Sequence, residues 1–387
     1  MSEEQDQNFI RQAIGLAMRG RGGVEPNPLV GCVIVKNGRV IGQGNHAHFG
    51  GPHAEPTALE DCREPVAGAT AYVTLEPCCH TNKKTPPCAP LLIREKIARV
   101  VVGCLDPNPA VNGNGMRMLR DAGIRVDSPV LGSECAQLIA AFQAKTVRDR
   151  PYVTLKWAES SDGLIAGPNG ERRQISNRES SAVVQQLRYR SDGLMIGVKT
   201  ILLDDPILLP RVDEPRPPGK TYIRAVLDAH CNTPVSAKVV QIKGVDRPVR
   251  IYCNDAAFAE HADRVAALRA HRVSVRALPE RAPGRLDLQT AVWHLGSLGV
   301  NHLLIEPGAT VAAGCFEQNV VDRLWVIRSP RPIGDGVKAA PVPASFVAVG
   351  TMQLGDDVLT EYLNPTSDVY FASTPSADFV LSQPASE

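Results

Sequence analysis

Aromatic residues are scarce in this chain of 387 residues: Phe, Trp and Tyr together supply 5%. Its core must come mainly from Val, Leu, Ile and Ala, which a chain of this length can bury in quantity. An excess of one charge is also missing. Lys plus Arg number 42 and Asp plus Glu 41, a net charge of +1. No regional split hides in that balance, since residues 1–147 carry 15 basic and 14 acidic side chains. The absence of a polybasic body argues against nucleic acid as the main partner. No apolar run reaches the roughly 18–20 residues of a membrane span. The start, Met1-Ser-Glu-Glu-Gln-Asp6, has neither the basic nor the apolar region of an export signal, so a cytoplasmic location is expected.

Cysteine, by contrast, is abundant and uneven. Seven of the ten, Cys32, Cys62, Cys78, Cys79, Cys88, Cys104 and Cys135, fall in the first 135 residues. A disulfide framework belongs to short secreted chains. In a long cytoplasmic chain the same density reads either as buried thiols or as a metal site in the N-terminal third.

The patterning predicts alternating strands and helices throughout, hence α/β layers. Phe9, Ala13, Ile14 and Ala17 recur at helical spacing. Asn37-Gly38, between Cys32–Val35 and Val40-Ile41, predicts a hairpin. Strands are expected at 71–75 and 99–103, and helices at 88–98 and 116–122. A short strand is expected at 124–126. A further helix should be capped by Ser133 and run to 146. After the polar break Arg148-Asp-Arg-Pro151 the alternation restarts. Strands follow at 152–156, 193–197, 223–228, 249–252, 302–306 and 323–327. Helices are expected at 179–190, 256–271 and 286–298, with one more running to 319. The expected domains are therefore 1–147 and 148–366. Residues 367–387, rich in Pro, Ser and Ala, are expected as a mobile tail.

One constellation carries chemistry. His53-Ala-Glu55 precedes Pro77-Cys78 and Cys88. One imidazole and two thiolates suit zinc, and three protein ligands leave the fourth position open, the catalytic arrangement. Glu55 would then move protons between water and substrate. Residues two apart on a helix point about 200° apart, so His53 and Glu55 fit best at a helix start. Pro56 tolerates the first turn. Cys88, after Pro86-Pro87, also suits a helix start, where the dipole favours thiolate. His-x-Glu followed by Pro-Cys and a second Cys is the zinc-deaminase pattern. The alternatives are a structural zinc site with Cys79 or His80 as fourth ligand, or a Cys79–His80 nucleophile pair. The first thiolate ligand is Cys78 or Cys79, with Cys78 preferred because it follows the proline.

The residues resemble a known family, the bifunctional riboflavin-biosynthesis deaminase-reductases. The resemblance rests on Asn27-Pro28 to Val35, Pro52-His-Ala-Glu55, Thr74-Leu-Glu-Pro-Cys78, Thr85-Pro-Pro-Cys88 and Asp106-Pro-Asn-Pro109. It continues with Pro151–Lys156, Ser161-Asp-Gly163, Gly197–Thr200, Asp204-Asp-Pro206, Arg211 and Glu306-Pro-Gly308. It implies two three-layer α/β/α domains, the first cytidine-deaminase-like and the second dihydrofolate-reductase-like. The implied reactions are deamination of a diaminopyrimidinone ribosylamine phosphate, then NADPH-dependent reduction of its ribosyl group. By resemblance, one zinc per chain is held by His53, Cys78 and Cys88. Asn27 and His46 touch the pyrimidine, and Lys84 and Thr85 lie near the phosphate. In the second half, Lys156, Arg188, Leu208, Arg211 and Glu306 match substrate positions. Thr200, Asp204, Gly308, Ala309 and Thr310 match NADPH positions. The implied partner is a small phosphorylated pyrimidine, with no nucleic acid, no membrane and a homo-oligomeric assembly.

The chain departs from the family pattern at Glu159, Ser161, Arg172, Arg173, Gln174, Ser181, Leu209, Ala229 and Pro307. Glu159 puts a negative charge where an anionic cofactor is expected, and Arg172 and Arg173 are the expected compensation. A deaminase with a non-reducing second domain is therefore the alternative, and a non-catalytic zinc module a further one.

Overall fold

The computed structural model describes residues 2–81, 85–213, 220–242, 244, 246–367, 369, 375, 376 and 379. Lys84 lies outside them. The chain divides into two units, Met1–Arg148 and Asp149–Glu387.

The first unit opens with helix α1 (Glu3–Ala17). Ser2 and Gln5 form a reciprocal capping box there, and Ile10, Ala13, Leu16 and Ala17 form its buried stripe. Strands β1 (Gly31–Lys36) and β2 (Arg39–Asn45) are joined at Asn37-Gly38. Both turn residues have positive φ, 51° and 75°, as a hairpin turn matched to strand twist requires. Then follow α2 (Ala54–Glu60), β3 (Thr70–Leu75), α3 (Cys88–Arg94), β4 (Arg99–Cys104), α4 (Asn114–Asp121), β5 (Arg125–Asp127), α5 (Gly132–Leu138) and α6 (Ala140–Arg148). The sheet order is β2-β1-β3-β4-β5. β1 pairs antiparallel with β2 and β3, while β3–β4 and β4–β5 are parallel. A Cβ at Gly31 would strike Ala13, and one at Gly44 would strike Ala58. Gly44 pairs with Cys32, one residue on from Gly31, so α1 and α2 cover opposite faces.

The second unit comprises β6 (Tyr152–Glu159), β7 (Leu164–Ala166), α7 (Arg178–Arg190), β8 (Gly193–Gly197), α8 (Val198–Asp204), β9 (Ile223–Leu227) and α9 (Lys238–Gln241). It continues with β10 (Val249–Cys253), α10 (Asp255–Glu260), α11 (Ala262–Ala270), β11 (Val273–Ala277), β12 (Glu280–Ala282), β13 (Arg285–Leu286) and α12 (Leu288–Ser297). The last elements are β14 (His302–Ile305), α13 (Ala309–Glu317), β15 (Arg323–Arg328), β16 (Val337–Lys338), β17 (Val347–Leu354) and β18 (Asp357–Leu363). Nine strands form one sheet in the order β11-β10-β9-β8-β14-β6-β15-β18-β17. All pairs are parallel except the last two, β15–β18 and β18–β17. Along β8, Leu194 and Ile196 face a core shared with Val184 and Leu187 of α7, while Met195 faces Leu295 of α12 and Ala312 of α13. Helices thus cover both faces, as a parallel sheet requires.

Two expectations change. Ser133 lies inside α5, whose cap is Leu131 at φ 51°, and the expected single helix breaks at Ile139. The expected helix 256–271 breaks at His261, with Asn254 capping its first half. Within the expected mobile tail, Ser376 and Phe379 are buried, at 3% and 1% exposed. Ser376 bonds Glu361 and Arg323, and Phe379 meets Trp325 edge-on at 6.1 Å.

Candidate metal centre and reductase cleft

Three local structures deliver the metal-ligand types. His53 is the N-cap residue of α2, in extended conformation, with Glu55 in the first turn. Cys78 follows the end of β3, and Cys88 is the first residue of α3. His53, Cys78 and Cys88 bring their ligand atoms within 4.8 Å of one another. His53 Nδ1 lies 3.5 Å from Cys78 Sγ and 3.4 Å from Cys88 Sγ. A tetrahedral zinc with Zn–S near 2.3 Å and Zn–N near 2.05 Å sets S···N at about 3.5 Å, so these residues fit the ion. The backbone N–H of Cys88 donates to Cys78 Sγ at 3.4 Å, support for a thiolate at a helix start. Cys79 Sγ instead points to the Ala110 carbonyl, and it is not in the cluster.

A cavity of about 350 Å³ opens on this cluster, lined by Asn27, His46, His53, Glu55, Cys78 and Thr85 among others. Glu55 is 3% exposed. Burial pushes its carboxyl up and the Cys78 sulfur adds to this, while His53 and a Cys88 hydrogen bond oppose it. His46 is also buried. Its Nδ1 is 2.7 Å from the Pro52 carbonyl and its Nε2 is 3.0 Å from the Asn27 amide nitrogen. Burial pushes His46 below its ordinary value, aided by His53 and His48, and this neutral form suits Nδ1–H to Pro52 and Nε2 accepting from Asn27. Both ring nitrogens are thus engaged within the protein, and His46 is placed to orient Asn27. Thr85 Oγ1 lies 3.0 Å from His53 Nε2.

Sequence reasoning assigned no role to Glu76. Its carboxylate is 3% exposed and accepts the backbone N–H groups of Gly113 and Met116 at 2.9 and 3.1 Å. It ties the start of α4 to the segment that supplies Cys78. The signal was its place inside Thr74-Leu-Glu-Pro-Cys78.

In the second unit, Arg188 on α7 grips Glu306 with two nitrogens, Nε donating to Oε1 at 2.7 Å. Burial raises the Glu306 carboxyl, but Arg188, Lys156 and Arg211 hold it below its usual value. Burial pushes Lys156 down, Glu306 opposes this, and Arg188 reinforces it. Three expected substrate residues, Lys156, Arg188 and Arg211, thus act electrostatically on a fourth, Glu306. Leu208 differs: the residue is 3% exposed and packs in the core, with its backbone at φ 55°.

Of the expected NADPH residues, Thr200 lies in the first turn of α8 and Gly308, Ala309 and Thr310 open α13, whereas Asp204 is the last residue of α8. α8, with Thr200 and Asp204, has Gly197 as N-cap, and α13, with Ala309 and Thr310, has Gly308. Neither cap makes a side-chain hydrogen bond, and a Cβ on Gly197 would lie 3.0 Å from Val311 Cγ2. Two uncapped helix starts side by side, at the carboxyl ends of the parallel strands β8 and β14, fit a cofactor diphosphate. The expected partners of Glu159 are corrected. Arg173 pairs with Glu171, whereas the buried Glu159 accepts from Arg328 Nε at 2.9 Å and from the Trp157 indole at 2.9 Å. Register pairs Arg328 directly with Glu159 across β15 and β6, so its charge is already balanced.

Residues 3–104 match the cytidine and deoxycytidylate deaminase zinc-binding region, and residues 151–359 match the RibD C-terminal domain. The riboflavin biosynthesis protein RibD of Actinobacillus pleuropneumoniae is 37% identical over 368 residues, covering 92% of this chain and 95% of that one. This chain belongs to the RibD family. The RibD of Escherichia coli strain K12 is 36% identical, covering 86% of this chain and 90% of that one. The solved Thermotoga maritima diaminohydroxyphosphoribosylaminopyrimidine deaminase/5-amino-6-(5-phosphoribosylamino)uracil reductase is 32% identical. It superposes with a TM-score of 0.79, covering 94% of this chain and 99% of that one. An Acinetobacter baumannii RibD gives 0.77 at 32% identity, covering 94% and 99%. As a RibD-family chain, it pairs a zinc-type deaminase domain with a reductase domain, and zinc and NADPH are the cofactors this pairing implies. Among the described residues, no helix is long and apolar enough to cross a membrane.

Proposed function

We propose that this chain catalyses two successive steps of riboflavin biosynthesis. The first unit hydrolyses one amino group of a diaminopyrimidinone ribosylamine phosphate, and ammonia leaves. The second unit reduces the ribosyl group of that product to ribityl. The observation that carries the reading is the cluster of His53, Cys78 and Cys88 at a cavity that Glu55 also lines, in a chain whose second half matches the RibD C-terminal domain.

His53, Cys78 and Cys88 would hold the zinc. When bound, zinc supplies Lewis acidity that makes water a nucleophile near neutral pH. Glu55, buried beside the cluster, takes a proton from water and returns it to the departing amino group. Asn27 commits its amide nitrogen to His46, which leaves its carbonyl oxygen to accept from the pyrimidine. In the second unit NADPH supplies the hydride. Gly308, Ala309, Thr310, Thr200 and Asp204 flank its site. Arg211 and Lys156 provide positive charge for the phosphorylated sugar, and Glu306, held by Arg188, accepts from its hydroxyls.

The test is one preparation given the ribosylamine phosphate and NADPH, with ammonia and NADPH followed together. Ammonia release followed by NADPH oxidation supports both steps. Ammonia release without oxidation assigns the chain to the deaminase-only reading, and neither change refutes both. We further propose a cytoplasmic, self-associating enzyme, tested by cell fractionation and by light scattering on the purified chain.

A further inference from the structure

We propose that Thr85 is a positioning residue for the metal-ligating imidazole, holding the His53 ring in the plane that the ion needs. The inference rests on the reading of His53, Cys78 and Cys88 as zinc ligands and deepens it.

His53 presents its two nitrogens to different partners. Nδ1 faces both sulfurs, at 3.5 and 3.4 Å, while Nε2 lies 3.0 Å from Thr85 Oγ1. A neutral imidazole that gives the Nδ1 lone pair to a metal carries its proton on Nε2. With Nδ1 on the ion, that proton donates to Thr85 Oγ1, and the bond holds the ring against rotation. The backbone of His53 is fixed separately. Its carbonyl accepts from Thr57 Oγ1 at 2.8 Å and from the Thr57 N–H at 3.3 Å. Thr57 therefore secures the main chain and Thr85 the ring.

The neighbouring imidazole cannot replace Thr85. His46 sits 5.5 Å from His53 in an edge contact, but its nitrogens are engaged by Pro52 and Asn27. Thr85 is also well placed in sequence. It precedes Pro86, which restricts its backbone to extended conformations, so the hydroxyl is delivered by a stiff segment. Three residues later the same segment supplies Cys88. One stretch thus brings both a ligand and the group that orients another ligand. Partners of this outer kind, when removed, typically cost roughly 10–100-fold in metal affinity or activity. The resemblance had placed Thr85 near the substrate phosphate. Its remaining O–H can still donate to substrate, so a readout without substrate is required.

The experiment compares zinc-loaded wild type, Thr85→Val and Thr85→Ser, without substrate, by zinc transfer to a chromogenic chelator. Thr85→Val keeps the shape and removes the hydroxyl, and Thr85→Ser keeps the hydroxyl. Thr85→Val is expected to give up zinc roughly 10–100-fold more readily, and Thr85→Ser to stay near wild type. Cobalt(II) absorption provides a second readout, with the band shifted in Thr85→Val alone. If Thr85→Val holds zinc as tightly as wild type, or if Thr85→Ser is as weak as Thr85→Val, the inference is overturned. A wild-type chain that binds no zinc is a different result, and it would remove the ligand assignment itself.

Discussion

Replacing Glu306 by Gln removes one charge from the second unit's cleft while keeping its shape. Arg188 holds both carboxylate oxygens, and the two side chains are only 18% and 17% exposed. Breaking a buried pair by altering one member costs about 3–5 kcal/mol. The amide oxygen still accepts one hydrogen bond, so the expected loss is about 2–3 kcal/mol. In a unit of this size each kcal/mol moves Tm by roughly 2–4 °C, which gives a drop of about 4–12 °C. A second effect follows. Burial already lowers Lys156 and Glu306 opposes that lowering, so the variant's Lys156 titrates lower still and loses charge sooner as pH rises. NADPH oxidation with deaminated substrate should lose at least about tenfold in kcat/KM, the worth of one charge-assisted hydrogen bond. Ammonia release by the same preparation is the internal control and should not change. A Tm and reductase kcat/KM both equal to wild type would refute the assignment of Arg188 and Glu306 to a shared, functional pair.

Phe379→Ala should cost about 3–5 kcal/mol in urea unfolding of the second unit, because the ring is 1% exposed against Trp325; an unchanged midpoint would leave the segment without an anchoring role. Gly115→Ala should abolish zinc retention, since its Cβ would lie 2.0 Å from the Pro77 carbonyl oxygen beside Cys78; normal zinc content would show that this approach is dispensable. Asp6 gives a pH-dependent prediction. Burial raises its carboxyl, but Arg99 and Tyr72 pull it below its ordinary 3.8, so its stabilisation is present above that value and fades as pH falls below it. The stability deficit of Asp6→Asn should therefore be full at neutral pH and narrow below about pH 4; a deficit independent of pH would contradict the ion pair with Arg99.

Local signals made much of this structure legible. The Asn37-Gly38 turn, the β-branched run Arg99–Gly103 and the helix starts at His53 and Cys88 each state their conformation within a few residues. The metal cluster was readable for the same reason, because His-x-Glu and Pro-Cys fix local geometry before the pieces meet. What stayed hidden depends on distant residues. Arg328 balances Glu159 from 169 residues away, across a parallel strand pair whose register no local pattern announces. The β17–β18 hairpin escaped because β17 is half exposed and alternates weakly. The burial of Phe379 was invisible because Pro- and Ser-rich surroundings read as a tail, whereas its partner Trp325 lies on another strand. His46 showed itself as a candidate, but its contacts with Asn27 and Pro52 were not legible in the sequence.

The most direct test of the account is ammonia release by zinc-loaded Glu55→Ala, with metal content measured on the same sample. The variant should keep one zinc per chain, since Glu55 lies beside the ligand set rather than in it. Its deamination rate should fall by roughly 10²–10⁴, the usual worth of a positioned acid–base group. A zinc-loaded Glu55→Ala that releases ammonia at the wild-type rate would contradict the assignment of this cavity as a deaminase site.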